Sequence, residues 1–298
     1  MRKYTTLGII SLAAMVLFVG SGLVFAQNAI TGEWTAEAGK EKGDKIHLSF
    51  ERKTERGGKN QHGSSYAYED LPGLIRNDTE NARVSFKLAR EAGTIECEGT
   101  FVNGRGSGTF RFIPNMGFAD AMKARGFDMA ISTSKGGNDT LEERLFLATT
   151  LNVTTALADD LKSANFPNLG FEDLVKAAIF KVDGKFMAEM KATGFPNLGM
   201  EDLVKARIFK IDADFVRRTR EMGFGTDNFE NLVKFSIFKV TPEFLNELKA
   251  EGLTNLDPED VVKLRIFKID AAYVREARAT EPNITIEQLV QKRIGVRR

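Results

Sequence analysis

Four stretches decide the fold: LVKAAIFKVD from Leu174, LVKARIFKID from Leu203, LVKFSIFKVT from Leu232 and VVKLRIFKID from Val261. They align without gaps at a spacing of 29 residues. An upstream copy starts at Leu145 (LFLATTLNVT), and a downstream copy at Leu289 comes one residue early. A still earlier half-copy, FADAMKARGF from Phe118, is set apart by a Gly-, Asn-, Ser- and Thr-rich insertion near 131–140. Self-similarity at this period means stacked supersecondary units.

Each unit reads as two short helices. Thr241 is an N-cap, with Pro242 at the first helical position and Glu243 after it. Phe244, Leu245 and Leu248 form the apolar stripe, and Gly252 followed by Leu253 is a helix stop with its hydrophobic contact. Asp257-Pro258-Glu259-Asp260 opens the second helix, with Val261, Val262, Leu264, Ile266 and Phe267 as its apolar positions. The caps recur at Thr154, Asp183, Asp212 and Asp270, and the stop glycines at Gly194 and Gly223. Helices of about ten residues do not stand alone in water. They must bury their faces against neighbouring units, which is the physics of a solenoid.

Upstream of the repeats the periodicity changes. Ile46, Leu48 and Phe50 alternate with His47, Ser49 and Glu51; Val84, Phe86 and Leu88 alternate with Ser85, Lys87 and Ala89. Phe110 and Phe112 alternate with Thr109, Arg111 and Ile113. Period two predicts half-buried strands, and the short breakers between them favour antiparallel hairpins. Trp34 starts the first strand, with a core role as its default. The fold class is therefore α+β: an antiparallel β domain over 27–114, a small sandwich or rolled sheet, followed over 115–298 by about six helical hairpins.

Residues 1–26 read as an export signal. Arg2 and Lys3 precede an apolar run over 7–19, and Val24-Phe25-Ala26 places small residues for cleavage after Ala26. The competing expectation is an uncleaved anchor in the inner membrane, since the apolar stretch can be counted to about twenty residues. With cleavage, the mature chain has no membrane span and is periplasmic or secreted.

Composition narrows function by exclusion. With 42 Lys and Arg against 41 Asp and Glu among 298 residues, no overall charge points to a nucleic acid. A single Cys rules out a disulfide scaffold or a Cys-cluster zinc site. Cys97, flanked by Glu96 and Glu98, reads as a buried inert thiol rather than a nucleophile. The two His, His47 and His62, have no metal-ligand spacing partner, and no HExxH, GxSxG or P-loop occurs. The stretch NGRGSG from Asn103 is better read as a hairpin turn than a phosphate cradle. No cofactor, metal or catalytic residue is expected.

The repeated residues form ladders. The Phe ladders (Phe180, Phe209, Phe238, Phe267; Phe186, Phe215, Phe244, Tyr273; Phe166, Phe195, Phe224, Leu253) read as shared core. The candidate interaction ladder is Lys176, Lys205, Lys234 and Lys263, a possible basic stripe for an anionic partner. Its bland reading is local: Glu172, Glu201, Glu230 and Glu259 each precede a Lys by four residues, the favourable helix pair. A second set, Lys181, Lys210, Lys239 and Lys268, sits near helix C-termini, where a cation suits the dipole. A third set is Lys162, Lys191, Arg220, Lys249 and Arg278.

Read together, GEWTAEAG, HLSFER, SSYAYEDLPGL and VSFKLAREAGTIECEGTFVNGRGSGTFRF, followed by the repeats, carry a family resemblance. The chain resembles the extracytoplasmic region of soil-bacterial relatives of the β-lactam-sensing membrane metallopeptidases, and stand-alone exported proteins of the same layout. It has neither the multi-span membrane domain nor the zinc HExxH of those peptidases, so no catalytic residue carries over. The resemblance implies an envelope setting and a sensing or protein-binding role. The expectation is a non-enzymatic exported binding or scaffold protein whose repeats engage a protein or envelope component. An accessory or sensor acting with a membrane peptidase or kinase is the alternative, and a hydrolase with an unrecognised site the remote one.

Overall fold

The computed structural model describes residues 30–38, 45–53, 59–74, 82–130, 139–165, 169–224 and 228–295. The export signal with its cleavage site, most of the insertion near 131–140 and Phe166 lie outside them.

Six strands come first: β1 (Thr31–Ala38), β2 (Lys45–Lys53), β3 (Lys59–Ala67), β4 (Ala82–Arg90), β5 (Gly93–Val102) and β6 (Arg105–Pro114). They form one antiparallel sheet in the order β3-β2-β1-β6-β5-β4. Of the two arrangements that the alternation leaves open, two packed sheets are therefore absent among the described residues. The register sets Trp34 opposite Phe50, Ala36 opposite Leu48, Phe86 opposite Cys97 and Ile95 opposite Phe112, so one face is largely apolar, with Arg52, His62 and Ser64 on its β2–β3 side. The other face carries Glu, Ser, Thr, Lys and Arg.

Trp34 does more than start a strand. Its neighbours across β6 and β5 are Gly108 and Gly99, which have no side chains. The indole occupies that gap: a Cβ on Gly99 would stand 2.7 Å from Trp34 Cζ2. Its Nε1 donates to the Glu98 carbonyl at 3.1 Å, and its rings meet Phe86 at 5.1 Å and Phe101 at 5.9 Å. The glycines of the NGRGSG stretch thus have separate tasks. Asn103 and Gly104, at φ 50° and 75°, form the two-residue turn between β5 and β6, the backbone preference of an Asn-Gly hairpin. Gly106 and Gly108 make room for Phe101 and for the β5 backbone.

Twelve α-helices follow among the described residues: α1 (Met116–Ala124), α2 (Leu141–Leu151), α3 (Thr155–Ser163), α4 (Phe171–Phe180), α5 (Gly184–Ala192), α6 (Met200–Ile208), α7 (Ala213–Glu221), α8 (Phe229–Ile237), α9 (Pro242–Ala250), α10 (Pro258–Ile266), α11 (Ala271–Thr280) and α12 (Ile286–Arg293). They pair as six hairpins. Even-numbered helices stack on one another from α2 to α12, and the odd-numbered ones make the second layer, as α1 on α3, α3 on α5 and α9 on α11 show.

The first hairpin closes the sheet. Phe146 of α2 lies among Phe50, Phe110 and Phe112 at 6.2, 5.5 and 5.4 Å. Tyr66 donates its hydroxyl to the Thr150 carbonyl at 3.0 Å, Arg52 pairs with Glu143, and the Thr155 N–H donates to Glu91 at 2.9 Å. One apolar core consequently runs from the sheet through the helices to Val233, and a second covers the distal units.

Helix ends follow two designs. Odd-numbered helices begin at Thr154, Asp183, Asp212, Thr241 and Asp270, whose side chains accept from the N–H three residues on. They end at Gly194, Gly223 and Gly252, at φ 94°, 91° and 80°, with Asn165 in the same place at φ 54°. Even-numbered helices end differently. Lys181, Lys210, Lys239 and Lys268 are themselves left-handed, at φ 58°, 54°, 52° and 51°. The next residue, Val182, Ile211, Val240 or Ile269, is buried and donates its N–H five residues back at 2.8 to 3.0 Å. These lysines are the chain reversal itself, beyond the dipole role their position predicts. Asn152 and Gly295 fill the same place at the two ends of the stack.

These contacts can be tested through stability. Gly223→Val should lower the thermal midpoint, because a Cβ in the left-handed region costs roughly 1–2 kcal/mol. Lys210→Gly should raise it slightly, stabilising the chain by about 1 kcal/mol or less, since glycine relieves the strain but loses more chain entropy. Midpoints moving in the same direction would contradict the assigned stops. Phe146→Ala should cost about 3–5 kcal/mol. Because the core is shared, fluorescence of Trp34 in the sheet and the helical far-ultraviolet dichroism should melt together. Two separated transitions would show that sheet and helices do not share a core.

Candidate functional site

The polar face of the sheet holds most of the residues from which a catalytic centre could be drawn. An open trough of about 810 Å³ on it is lined by Glu33, Glu51, Glu96, Glu98, Lys59 and Arg111, among others. Part of its charge is paired: Lys59 with Glu51 at 2.6 Å, and Glu96 with both Lys87 and Arg111 at 2.7 Å. Hydrogen bonds from Arg111 and Lys87 hold the Glu96 carboxyl below the usual range. A row of hydroxyls, Ser49, Thr35, Ser107 and Thr100, crosses four strands beside it.

The histidines do not converge. His47 lies on this polar face over Gly63, whereas His62 packs against Phe146 at 6.1 Å on the apolar side. Burial, reinforced by Arg52, lowers the His62 pKa. Cys97 is buried, and burial pushes its thiol pKa up to about 12, far from a thiolate at neutral pH. Among the described residues no group of three His, Cys, Asp or Glu could hold a metal ion.

The repeats place their charged ladders on distinct lines. Lys176, Lys205 and Lys263 reach Glu201, Glu230 and Glu287, each in the following unit; the last contact is 3.1 Å. The Asp three residues earlier, Asp173, Asp202 or Asp260, stands 3.8 to 4.0 Å away. The hydrogen bond to the next unit's Glu is the main cause that raises the pKa of all three lysines. The spacing predicted a Glu four residues before each Lys as partner. Stacking overrides it, because the neighbouring even-numbered helix brings its first turn alongside. At Lys234 the pattern lapses: Asn231 replaces the Asp, and among the described residues no carboxylate lies within ion-pair distance of Lys234.

In the third set, Arg220 donates to the Thr193 carbonyl and Arg278 to the Glu251 carbonyl, tying off the preceding odd-numbered helices. Inside the hairpins, Arg207 lies over Phe186 at 3.8 Å and Arg265 over Phe244 at 3.9 Å. Phe186, Phe244, Phe195 and Phe224 are buried as the Phe ladders predict, while Phe180, Phe209, Phe238 and Phe267 are half-buried.

One line of the repeat is neither buried nor paired. Ile179, Ile208, Ile237 and Ile266 are 47%, 51%, 46% and 49% exposed, and Ile294 in the last unit is 54% exposed. Ile266 is thus not the core position that its place in an apolar run predicts. The signal lay in the helical period: Ile208 is seven residues after exposed Glu201, two full turns, and shares its face. Two residues beyond each of the first four isoleucines stands a left-handed lysine, Lys181, Lys210, Lys239 or Lys268, exposed and without an ion pair among the described residues. The candidate site is this edge.

No family model matches the chain, and neither a curated protein nor a solved structure does.

The inter-unit pairing has a direct check. A double-mutant cycle of Lys176 and Glu201, both changed to Gln, should show a coupling that shrinks with added salt. The cycle of Lys176 and Glu172 should show the smaller coupling. The reverse order would restore the pairing within one helix.

Proposed function

We propose that the chain is a non-enzymatic exported protein of the bacterial envelope, a binding or scaffold module that works through the outer edge of its helical repeats. The observation that carries this reading is the isoleucine row. At one repeat position in the four successive units of α4, α6, α8 and α10 the stack leaves an isoleucine about half-exposed, beside a ladder of half-buried Phe. Single exposed apolar residues are ordinary, whereas a contiguous apolar line marks an interaction surface. The export signal read over 1–26 supplies the setting.

The test is co-sedimentation of the chain from Gln27 onward with purified cell envelope. Wild type should sediment, and a variant with Ile208, Ile237 and Ile266 changed to Ser should stay in solution with its helical dichroism intact. A wild type that remains wholly soluble, or a variant that sediments equally, overturns the reading.

A further inference from the structure

We propose that this edge docks on an anionic phospholipid surface. The inference rests on the binding role above and names the partner. The isoleucines lie in the last turn of α4, α6, α8 and α10, and the lysines just beyond that turn, so the two rows run side by side. Packed helices lie about 8–10 Å apart, so four units extend the edge to roughly 30 Å.

The lysines occupy a backbone conformation that disfavours them. The same stack uses Gly or Asn for left-handed stops at Gly194, Gly223, Gly252 and Asn152. Keeping Lys at four equivalent stops holds a cation beside each isoleucine against that preference, and strain of this kind clusters at functional positions.

The residue types select the partner. Protein interfaces are enriched in aromatics and Arg and depleted in Lys. Here the exposed residues are Ile and Lys, while Arg207 and Arg265 are held inside their hairpins over Phe186 and Phe244. Lysine stems reach along an apolar surface and set the ammonium at phosphate depth. An apolar row beside a cationic row is the pattern that lies in a lipid interface. One helical turn back, Lys176, Lys205 and Lys263 are neutralised by Glu, with Lys234 the exception, so most of the free charge along this edge lies in the outer lysine row. Apposing this edge on a second copy would bring two lysine rows together.

Flotation with vesicles of phosphatidylcholine, with and without phosphatidylglycerol, tests the proposal on the chain from Gln27 onward, so that the apolar run over 7–19 does not contribute. Wild type should float with anionic vesicles at low salt, and binding should fall roughly tenfold at high salt or on neutral vesicles. Changing Lys181, Lys210, Lys239 and Lys268 to Gly should weaken binding by a similar factor while the protein melts no lower than wild type. A purely structural role for these lysines predicts no such split. The four Lys→Gln changes, which keep the left-handed stops occupied by a long side chain, serve if the glycine variant misfolds. Equal binding to both vesicles, full binding by the folded lysine variants, or no vesicle binding by wild type overturns the proposal. If wild type ignores vesicles but still sediments with envelope through its isoleucines, the lipid partner is wrong and the binding role stands. Self-association lost on Ile→Ser, without vesicle binding, makes a second copy the occupant and overturns it likewise.

Discussion

The structure depends on covering one face of one sheet. A sheet with one largely apolar face is not stable in water until something lies over it, and Phe146 with the rest of α2 does so. That contact solves two problems together. It dries the sheet, and it gives the first helical hairpin the partner that a short helix pair requires. Each later hairpin then packs on the one before it. The polar contacts at the junction, Tyr66 to Thr150 and Arg52 to Glu143, fix the angle at which the stack leaves the sheet.

Features that depend on neighbours in sequence were legible; those that depend on neighbours in the stack were not. Thr241 and Asp212 cap their helices as spacing predicts, and Gly223 and Gly252 stop them. Lys176 was misread because its partner, Glu201, lies 25 residues away on the next even-numbered helix. Ile266 was misread because an apolar run does not say which member turns outward. The left-handed lysines were invisible for a simpler reason: lysine carries no propensity for that conformation, so only the backbone reveals it. In the sheet, alternation fixed which residues face inward. Whether a second sheet or a helix would meet them lay beyond the reach of strand periodicity.

The candidate site was partly legible. The Lys176 ladder was singled out from sequence, yet stacking neutralises three of its four members. The lysine row taken to serve the helix dipole is the one left exposed, beside isoleucines taken for core. Both shifts have one cause. In a stacked repeat a side chain's surroundings are set by the equivalent helix of the adjoining unit, so charge pairing must be read across the period.

The Lys–Glu contacts all run forward, from one unit to the next, and the Arg220 and Arg278 contacts all run back. The joints that carry these contacts are therefore made by the same plug and socket, while the joint at Lys234 rests on its apolar packing. Removing or adding a whole 29-residue unit leaves complementary surfaces on either side of the splice. The length of such a stack is adjustable in whole steps, and its isoleucine–lysine edge grows or shrinks by one residue of each kind at a time.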